Sequence, residues 1–485
     1  MKLKNIILVF FSFFLFSCNT PEQSKDLPRS SAPEDEGVVS GGILQYLNEC
    51  DKSEDEMHRF MLVKNGKVVA EATWSPFDPQ DKQTIYSCSK TFTATAIGIL
   101  QDRGLLSVED KVISFFEDKL PDSVSPNLAE MSIKDLLTMT CGQESEPLNI
   151  RHSDDWVRAF LAHPVINKPG TVFKYNSMAT FMLSAIAQKV TGQRLFDFLQ
   201  KNLFEPLGIK NVDWEISPEG ITTGGWGFRA HIEDMAKLGQ LYLQKGKWNN
   251  RQIVSEEFVQ QATTAYMLQD SSLSPEERAK SDWQQGYGYQ IWRCRNNGYR
   301  ADGAYGQFII VLPDRDAVIA IQSNAMNSQE EINRVWKYLL PAIKREKKIS
   351  KDDILYAHLR NKLSSLSIAA PASTDSASYL DVRQGDTLQV RISNDTCYFV
   401  WNNDSFVLGR EKWLHGTTER HVWSILYNKK SFREFPPFKV ACSYAWEGKD
   451  TLALYIKYLE SPHTEKIILT FDKDGRASLV DIRRF

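Results

Sequence analysis

Residues 85–100 read "IYSCSKTFTATAIGIL", two serines and a lysine followed by a run rich in Ala, Thr and Ile. Ser87 is the only serine in the chain with a lysine three positions later. With a helix beginning at Ser87, the i to i+3 spacing sets the Lys90 amine over the Ser87 hydroxyl on one face. Burial there lowers the lysine's pKa and leaves an amine able to take a proton. The free N–H groups of the helix N-terminus favour negative charge developing beside them. Ser89 is the competing nucleophile, but it adjoins Lys90 and faces another way. The same window also reads as a helix cap at Ser87 with a solvated charge at Lys90, so the neighbouring sequence has to decide.

Upstream, "FMLVKNGKVVAEATW" (Phe60 to Trp74) places two β-rich runs around Asn65-Gly66, the strongest short hairpin signal. Downstream, "FIIVLPDRDAVIAIQSN" (Phe308 to Asn324) predicts a second hairpin. Helical periodicity dominates between them, in "SIKDLLTM", "SMATFMLSAIAQKVTG" and "IEDMAKLGQLYLQKG", and "SQEEINRVWKYLLPAIKREKK" follows the second hairpin. Strands at both ends with helices inserted predict one antiparallel sheet flanked by helices, with a helical subdomain. Near Ser350 the texture changes. A short helical piece and the linker "SIAAPASTDSAS" give way to β-patterned runs such as "DTLQVRIS" and "TLALYIKYL", which predict a separate antiparallel β domain from Tyr379 to Phe485.

The stretches "IYSCSKTFTATAIGILQDRGLLSVEDKV" and "MSIKDLLTMTCGQ" resemble the serine β-lactamase-related superfamily, which includes penicillin-binding proteins, class C β-lactamases and related esterases. "GTVFKYNSMATFMLSAIAQKVTGQRL" is similar to that family's second element and "RADGAYGQFIIVLPDRDAVIAI" to its third; "GGWGFRAHIEDMAKLGQLYLQKGKW" and "GYGYQIW" resemble scaffold stretches. The resemblance covers roughly Phe60 to Leu340. It implies an acyl transfer in which Ser87 is the nucleophile, Lys90 the general base and Tyr175 an acid and base, its pKa lowered by the neighbouring ammonium. It implies an oxyanion hole from the backbone N–H groups of Ser87 and Ala304, and substrate contacts from Asn176, Ser177, Gly303, Gly306 and Gln307. Where penicillin-active members carry Tyr-x-Asn and a Lys- or His-led third motif, this chain has Tyr175-Asn176-Ser177 and Ala301-Asp302-Gly303. The missing cation, and repulsion from Asp302, argue against gripping a β-lactam carboxylate. The motif style is nearer the 6-aminohexanoate-dimer hydrolase and esterase branch.

The N-terminus, "MKLKNIILVFFSFFLFSCNT", has two lysines before an apolar run too short to span a bilayer comfortably, as in a secretory signal. Cys18 after "LFS" resembles a bacterial lipoprotein box, which implies lipidation at Cys18; an ordinary signal with an incidental cysteine is the competing reading. The other six cysteines, scattered with no C-x-x-C pair, define no disulfide framework. No H-E-x-x-H is present to hold zinc. With 58 Lys and Arg against 61 Asp and Glu, the chain has no basic field for nucleic acid. Its 485 residues exceed one compact core, and 42% hydrophobic residues supply more than one.

The expected fold class is α+β: a β-lactamase/transpeptidase-like antiparallel sheet with flanking helices and a helical subdomain, plus a C-terminal all-β domain. The expected organisation is a signal over 1–17, a lipid-anchored flexible tether over 18–44, a serine hydrolase domain over 45–349, a linker with a short helix over 350–378 and the β domain over 379–485. The expected activity is hydrolysis of an amide or ester through a serine acyl-enzyme, without cofactor or metal. The expected partners are a small-molecule amide or ester substrate, with a cell-wall fragment as one candidate, and the membrane of the cell envelope through the lipid anchor. A peptidoglycan-directed D-peptidase or β-lactamase, and a non-catalytic ligand-binding lipoprotein, are the rival readings.

Overall fold

Along the first long strand, Phe60 and Leu62 pack into one hydrophobic core while Met61 and Val63 pack into another. Side chains alternate across a strand, so this strand is covered on both faces. The computed structural model describes residues 26–146, 152–375, 379–384, 388–421, 429–474 and 476–484; the signal segment and Cys18 lie outside them.

The central sheet is antiparallel and six-stranded. Its strands are β1 (Glu56–Lys64), β2 (Lys67–Thr73), β3 (Trp292–Arg293), β4 (Tyr299–Gly303), β5 (Gln307–Leu312) and β6 (Ala317–Asn324), in the order β2-β1-β6-β5-β4-β3. Both expected hairpins are present. Asn65 (φ 52°) and Gly66 (φ 75°) make the tight left-handed turn between β1 and β2. On one face lie helix α1 (Ser40–Asp51) and, packed on it, helix α5 (Asp353–Leu363). On the other lie α2 (Ser89–Asp102) and α4 (Ile232–Leu243), with α3 (Ser177–Thr191) packed against α2. Short helices, Pro126–Glu130, Ile133–Leu137 and Trp156–Ala162, complete the inserted helical part.

Two expectations are corrected. The tether reading of 18–44 fails over its described part, because residues 26–44 are packed: Leu27 and Val38 are buried, and Ser30 N donates to Val68 O at 2.9 Å. Their acidic residues are engaged, Glu34 accepting from Ser40 N at 2.8 Å and Glu36 pairing with Lys67. The helix assigned to the linker, α5, buries Leu359 in the core beneath the sheet and so belongs to the first domain.

Among the described residues the C-terminal domain is a nine-stranded sheet running from Tyr379–Gln384 to Ala477–Arg484 around its own core, with antiparallel pairings except one, where Gly409 and Arg410 run parallel to Ser443 and Tyr444. The six cysteines in the described residues are buried free thiols.

Candidate active site

Ser87 sits two residues ahead of the start of α2, in a single 3-10 turn spanning Tyr86–Cys88. The expected helix start at Ser87 is thus corrected: the α-helix begins at Ser89, whose hydroxyl donates to the Tyr86 carbonyl at 2.5 Å and accepts from Phe228 N at 3.3 Å. That occupies Ser89 and removes it as a rival. Tyr86 takes a left-handed φ of 47°, uncommon for a bulky side chain, and leads directly into the partly exposed Ser87.

Lys90 reaches back from the first turn of α2. It is 1% exposed, and its Nζ lies 3.0 Å from Ser87 Oγ, 3.1 Å from Ser177 Oγ and 2.7 Å from the Gly225 carbonyl. Burial brings its pKa down to about 7, against an opposing pull from the Glu146 carboxylate. The ammonium would donate to all three; in the uncharged amine the Gly225 carbonyl takes one N–H, Ser177 can take the second, and the lone pair can accept from the Ser87 hydroxyl. Ser87 and Lys90 therefore meet as the spacing predicts.

Tyr175 comes from the segment before α3. The Lys90 amine stands 4.9 Å from its ring centroid, and the neighbouring Ser87 hydroxyl favours the phenolate. Its ring stacks on Trp292 at 5.7 Å, within an aromatic wall that includes Phe173 and Tyr287. The expected lowering of the Tyr175 pKa is corrected: burial raises it well above the ordinary phenol value, and a near-neutral lysine provides little charge to counter that. Tyr175 is held in its protonated form.

The third sequence motif forms the opposite wall. Gly303 ends β4 against the turn that carries Ser87, so closely that a Cβ there would come within 2.3 Å of the Ile85 carbonyl oxygen. Cys88 Sγ donates to the Gln307 carbonyl at 3.2 Å, tying the turn to β5. Ala304 follows Gly303 and is partly exposed. Asp302 does not act as a free repelling charge, since Arg300 Nε donates to its Oδ2 at 2.8 Å.

Of the residues expected to touch substrate, Ser177 is in the site through its contact with Lys90. Asn176, Gly306 and Gln307 are corrected to supporting roles. The Asn176 side chain caps α3 by accepting from Met178 N and Ala179 N, and donates to Gln143 at 2.9 Å, all buried. The fully buried Gln307 amide accepts from Gln83 and donates to the carbonyls of Tyr305 and Ser323. Gly306 has a left-handed φ of 78° and lies against Glu331 and Ser323, away from the opening. Two groups escaped sequence reasoning: the Gly225 carbonyl, within the quoted "GGWGF" run, and Glu146, which accepts from Ser177 N at 2.6 Å. Among the described residues no cluster of three or more His, Cys, Asp or Glu side chains has the arrangement to hold a metal ion.

A family model described as Beta-lactamase matches residues 57–342. The chain is 21% identical over 280 residues to the 6-aminohexanoate-dimer hydrolase of Paenarthrobacter ureafaciens, across 54% of this chain and 70% of that protein. It is 28% identical over 170 residues to protein flp of Staphylococcus aureus (strain MW2), across 32% of this chain, and spans only 34% of that protein's length. The octameric penicillin-binding protein homologue from Pyrococcus abyssi shares the fold, with a TM-score of 0.50 and 19% identity over 91% of this chain and 98% of that one. The match over more than half the sequence coincides with the sheet that brings Ser87, Lys90 and Tyr175 together, and the chain belongs to the Beta-lactamase family.

Proposed function

We propose that this chain is a serine hydrolase that opens an amide or ester by acyl transfer. The observation that carries the reading is the buried Lys90 amine, brought to about 7 and set 3.0 Å from the Ser87 hydroxyl. Ser87 Oγ attacks the carbonyl carbon as its proton passes to Lys90 Nζ, and the carbonyl π-electrons move onto oxygen. The backbone N–H groups of Ser87 and Ala304 receive that oxyanion. Collapse of the tetrahedral intermediate expels the amine or alcohol, which takes a proton from the Tyr175 phenol; Lys90 re-protonates Tyr175. Water then attacks the acyl-enzyme, gives its proton to the same relay and frees the acid and Ser87.

The substrate class we favour is a small linear amide or ester. Resemblance to a protein named 6-aminohexanoate-dimer hydrolase supports an amide, and the pairing of Asp302 with Arg300 leaves no free cation on the third motif to grip a β-lactam carboxylate. We place the protein in the cell envelope, lipid-anchored through Cys18, on the pattern of its first residues; labelling by an alkyne-fatty acid, lost in Cys18→Ser, tests this.

The test of the activity is labelling by a fluorophosphonate probe together with turnover of p-nitrophenyl acetate. Ser87→Ala is expected to abolish labelling and lower turnover by more than about 10³-fold. Undiminished turnover in that variant removes the reading. Stable labelling by a fluorescent penicillin redirects it to a peptidoglycan D-peptidase or β-lactamase, and no labelling of the unaltered chain favours a binding protein.

A further inference from the structure

A β-hairpin turn is ordinarily the most solvated part of a sheet. In the C-terminal domain the turn between strands Thr451–Tyr458 and Thr464–Phe471 is the reverse: Leu459, Glu460, Ser461 and His463 are all 4% exposed or less. It is pressed into the first domain beside the candidate active site. The Glu460 carbonyl accepts from Thr84 N at 3.0 Å, and the Leu459 carbonyl from Arg59 Nη2 at 3.4 Å. His463 Nε2 shares a short hydrogen bond with the Tyr86 phenol. The His463 ring also stands edge-on to Tyr305, with centroids 4.7 Å apart, and Tyr86 and Tyr305 are themselves 5.4 Å apart.

The positions of these two tyrosines matter. Tyr86 immediately precedes Ser87 and Tyr305 immediately follows Ala304, and both hold left-handed backbones, at φ 47° and 62°. Such conformations persist in bulky residues only where surrounding contacts over-determine them. His463 thus touches the residue adjoining each of the two N–H groups assigned to the oxyanion hole. A side chain from elsewhere in the domain boundary would stabilise the interface without spanning that pair.

We propose that His463, delivered by the C-terminal domain, is a positioning residue for the hydrolase: it fixes the separation of the Ser87 and Ala304 N–H groups by clamping Tyr86 and Tyr305. The inference rests on the serine hydrolase reading. It gives the C-terminal domain a part in the reaction, carried through one buried turn, with no contact to substrate required.

The test uses the full chain and the variants His463→Ala, His463→Gln, Tyr86→Phe and the double variant Tyr86→Phe/His463→Ala. His415→Ala, an exposed histidine of the same domain, serves as control. Readouts are kcat and KM for p-nitrophenyl acetate, the inhibition constant of a boronic acid that forms a tetrahedral adduct on Ser87, the rate of fluorophosphonate labelling, and Tm. His463→Ala is expected to lower kcat about tenfold with KM unchanged, the scale of a small misplacement in a catalytic constellation. It is also expected to weaken the boronic acid by the same factor, since that adduct needs the same donors. His463→Gln, with an amide nitrogen near the Nε2 position, recovers part of both. The double variant is no worse than His463→Ala, because both changes break one contact. If His463→Ala does not fold, His463→Gln and Tyr86→Phe carry the test. A folded set of variants with unchanged kcat and boronic acid affinity, or a loss confined to KM, overturns the inference while the labelled wild type leaves the hydrolase reading standing. An unlabelled wild type overturns both.

Discussion

In the proposed reaction Lys90 decides the chemistry, because it is in the wrong place for a charge. Its amine is surrounded by two hydroxyls, a carbonyl and the Tyr175 ring, and burial lowers its pKa from 10.5 to about 7. Only the uncharged amine can accept the Ser87 proton, so kcat/KM for an ester is expected to rise about tenfold per pH unit below about 7 and level off above it. The stability consequence has the opposite partner, the unfolded chain. Between about 7 and 10.5 the unfolded lysine binds a proton that the folded one does not, so folding gains stability as pH rises through that window. Lys90→Met keeps the volume and removes the titration. It is expected to be inactive yet to have the higher Tm at pH 7, with the advantage shrinking toward pH 10. Thermal unfolding of both proteins at pH 7 and 9.5 measures this; a Tm difference that does not change with pH, or a fall in wild-type rate as pH rises through 7, counts against an uncharged Lys90.

Among the elements, β4 and the 3-10 turn that carries Ser87 meet at close range through Gly303. Gly303 has an ordinary backbone conformation, so its requirement for glycine is steric alone: an added methyl meets the Ile85 carbonyl at 2.3 Å, and that carbonyl is backbone with no rotamer to escape to. Gly303→Ala is expected to push the turn away by a fraction of an ångström to about 1 Å and to cost about 10²-fold in kcat. Gly104→Ala, at an open left-handed turn after α2 with nothing within 4 Å, is expected to leave kcat unchanged. Activity within twofold of wild type in Gly303→Ala would mean that the wall and the turn are not coupled. The elements themselves were largely legible. Alternation and the Asn65-Gly66 turn disclose the first hairpin, and the Ser-x-x-Lys spacing discloses the pair, because these are local periodicities. The roles of polar side chains were not. Asn176 and Gln307 are as well suited to capping a helix or filling a buried hydrogen-bond network as to meeting a substrate, and only the surroundings choose between these. The stretch over 26–44 reads as tether because it is polar and contains Pro and Ser, and the partners of Glu34 and Glu36 are invisible until the chain is folded. His463 lies 377 positions from the tyrosine it holds, beyond any local signal.

At the scale of the whole molecule, the first domain packs around two hydrophobic cores and the C-terminal domain around a third, and a small apolar cluster around Phe77, Ala441 and Leu459 bridges them among the described residues. Ion pairs also cross the boundary: Glu56 with Lys457, Asp81 with Lys439, Asp154 with Lys430 and Arg229 with Glu460. The last differs from the others in burial. The Arg229 side chain is fully buried, paired with Asp213 from its own domain and Glu460 from the other, with its guanidinium 4.1 Å from the Phe435 ring centroid. Removing one member of a buried ionic group leaves charge without its partner and typically costs about 3 kcal/mol or more; the remaining Asp213 holds the loss to the lower end of that range. The loss falls on the domain boundary. Glu460 anchors the turn through both its side chain and the carbonyl that receives Thr84 N, and its carboxylate also accepts from Lys439 N at 3.2 Å. Glu460→Ala is therefore expected to uncouple the two cores, turning one calorimetric unfolding transition into two, with the C-terminal domain melting separately. Because the pair is shielded from solvent, 1 M salt is expected to leave the wild-type transition single, whereas exposed ion pairs would be screened. A Glu460→Ala protein that still unfolds in one transition at the wild-type Tm would mean that Arg229 is satisfied by Asp213 alone and that the buried turn is held by packing and backbone hydrogen bonds.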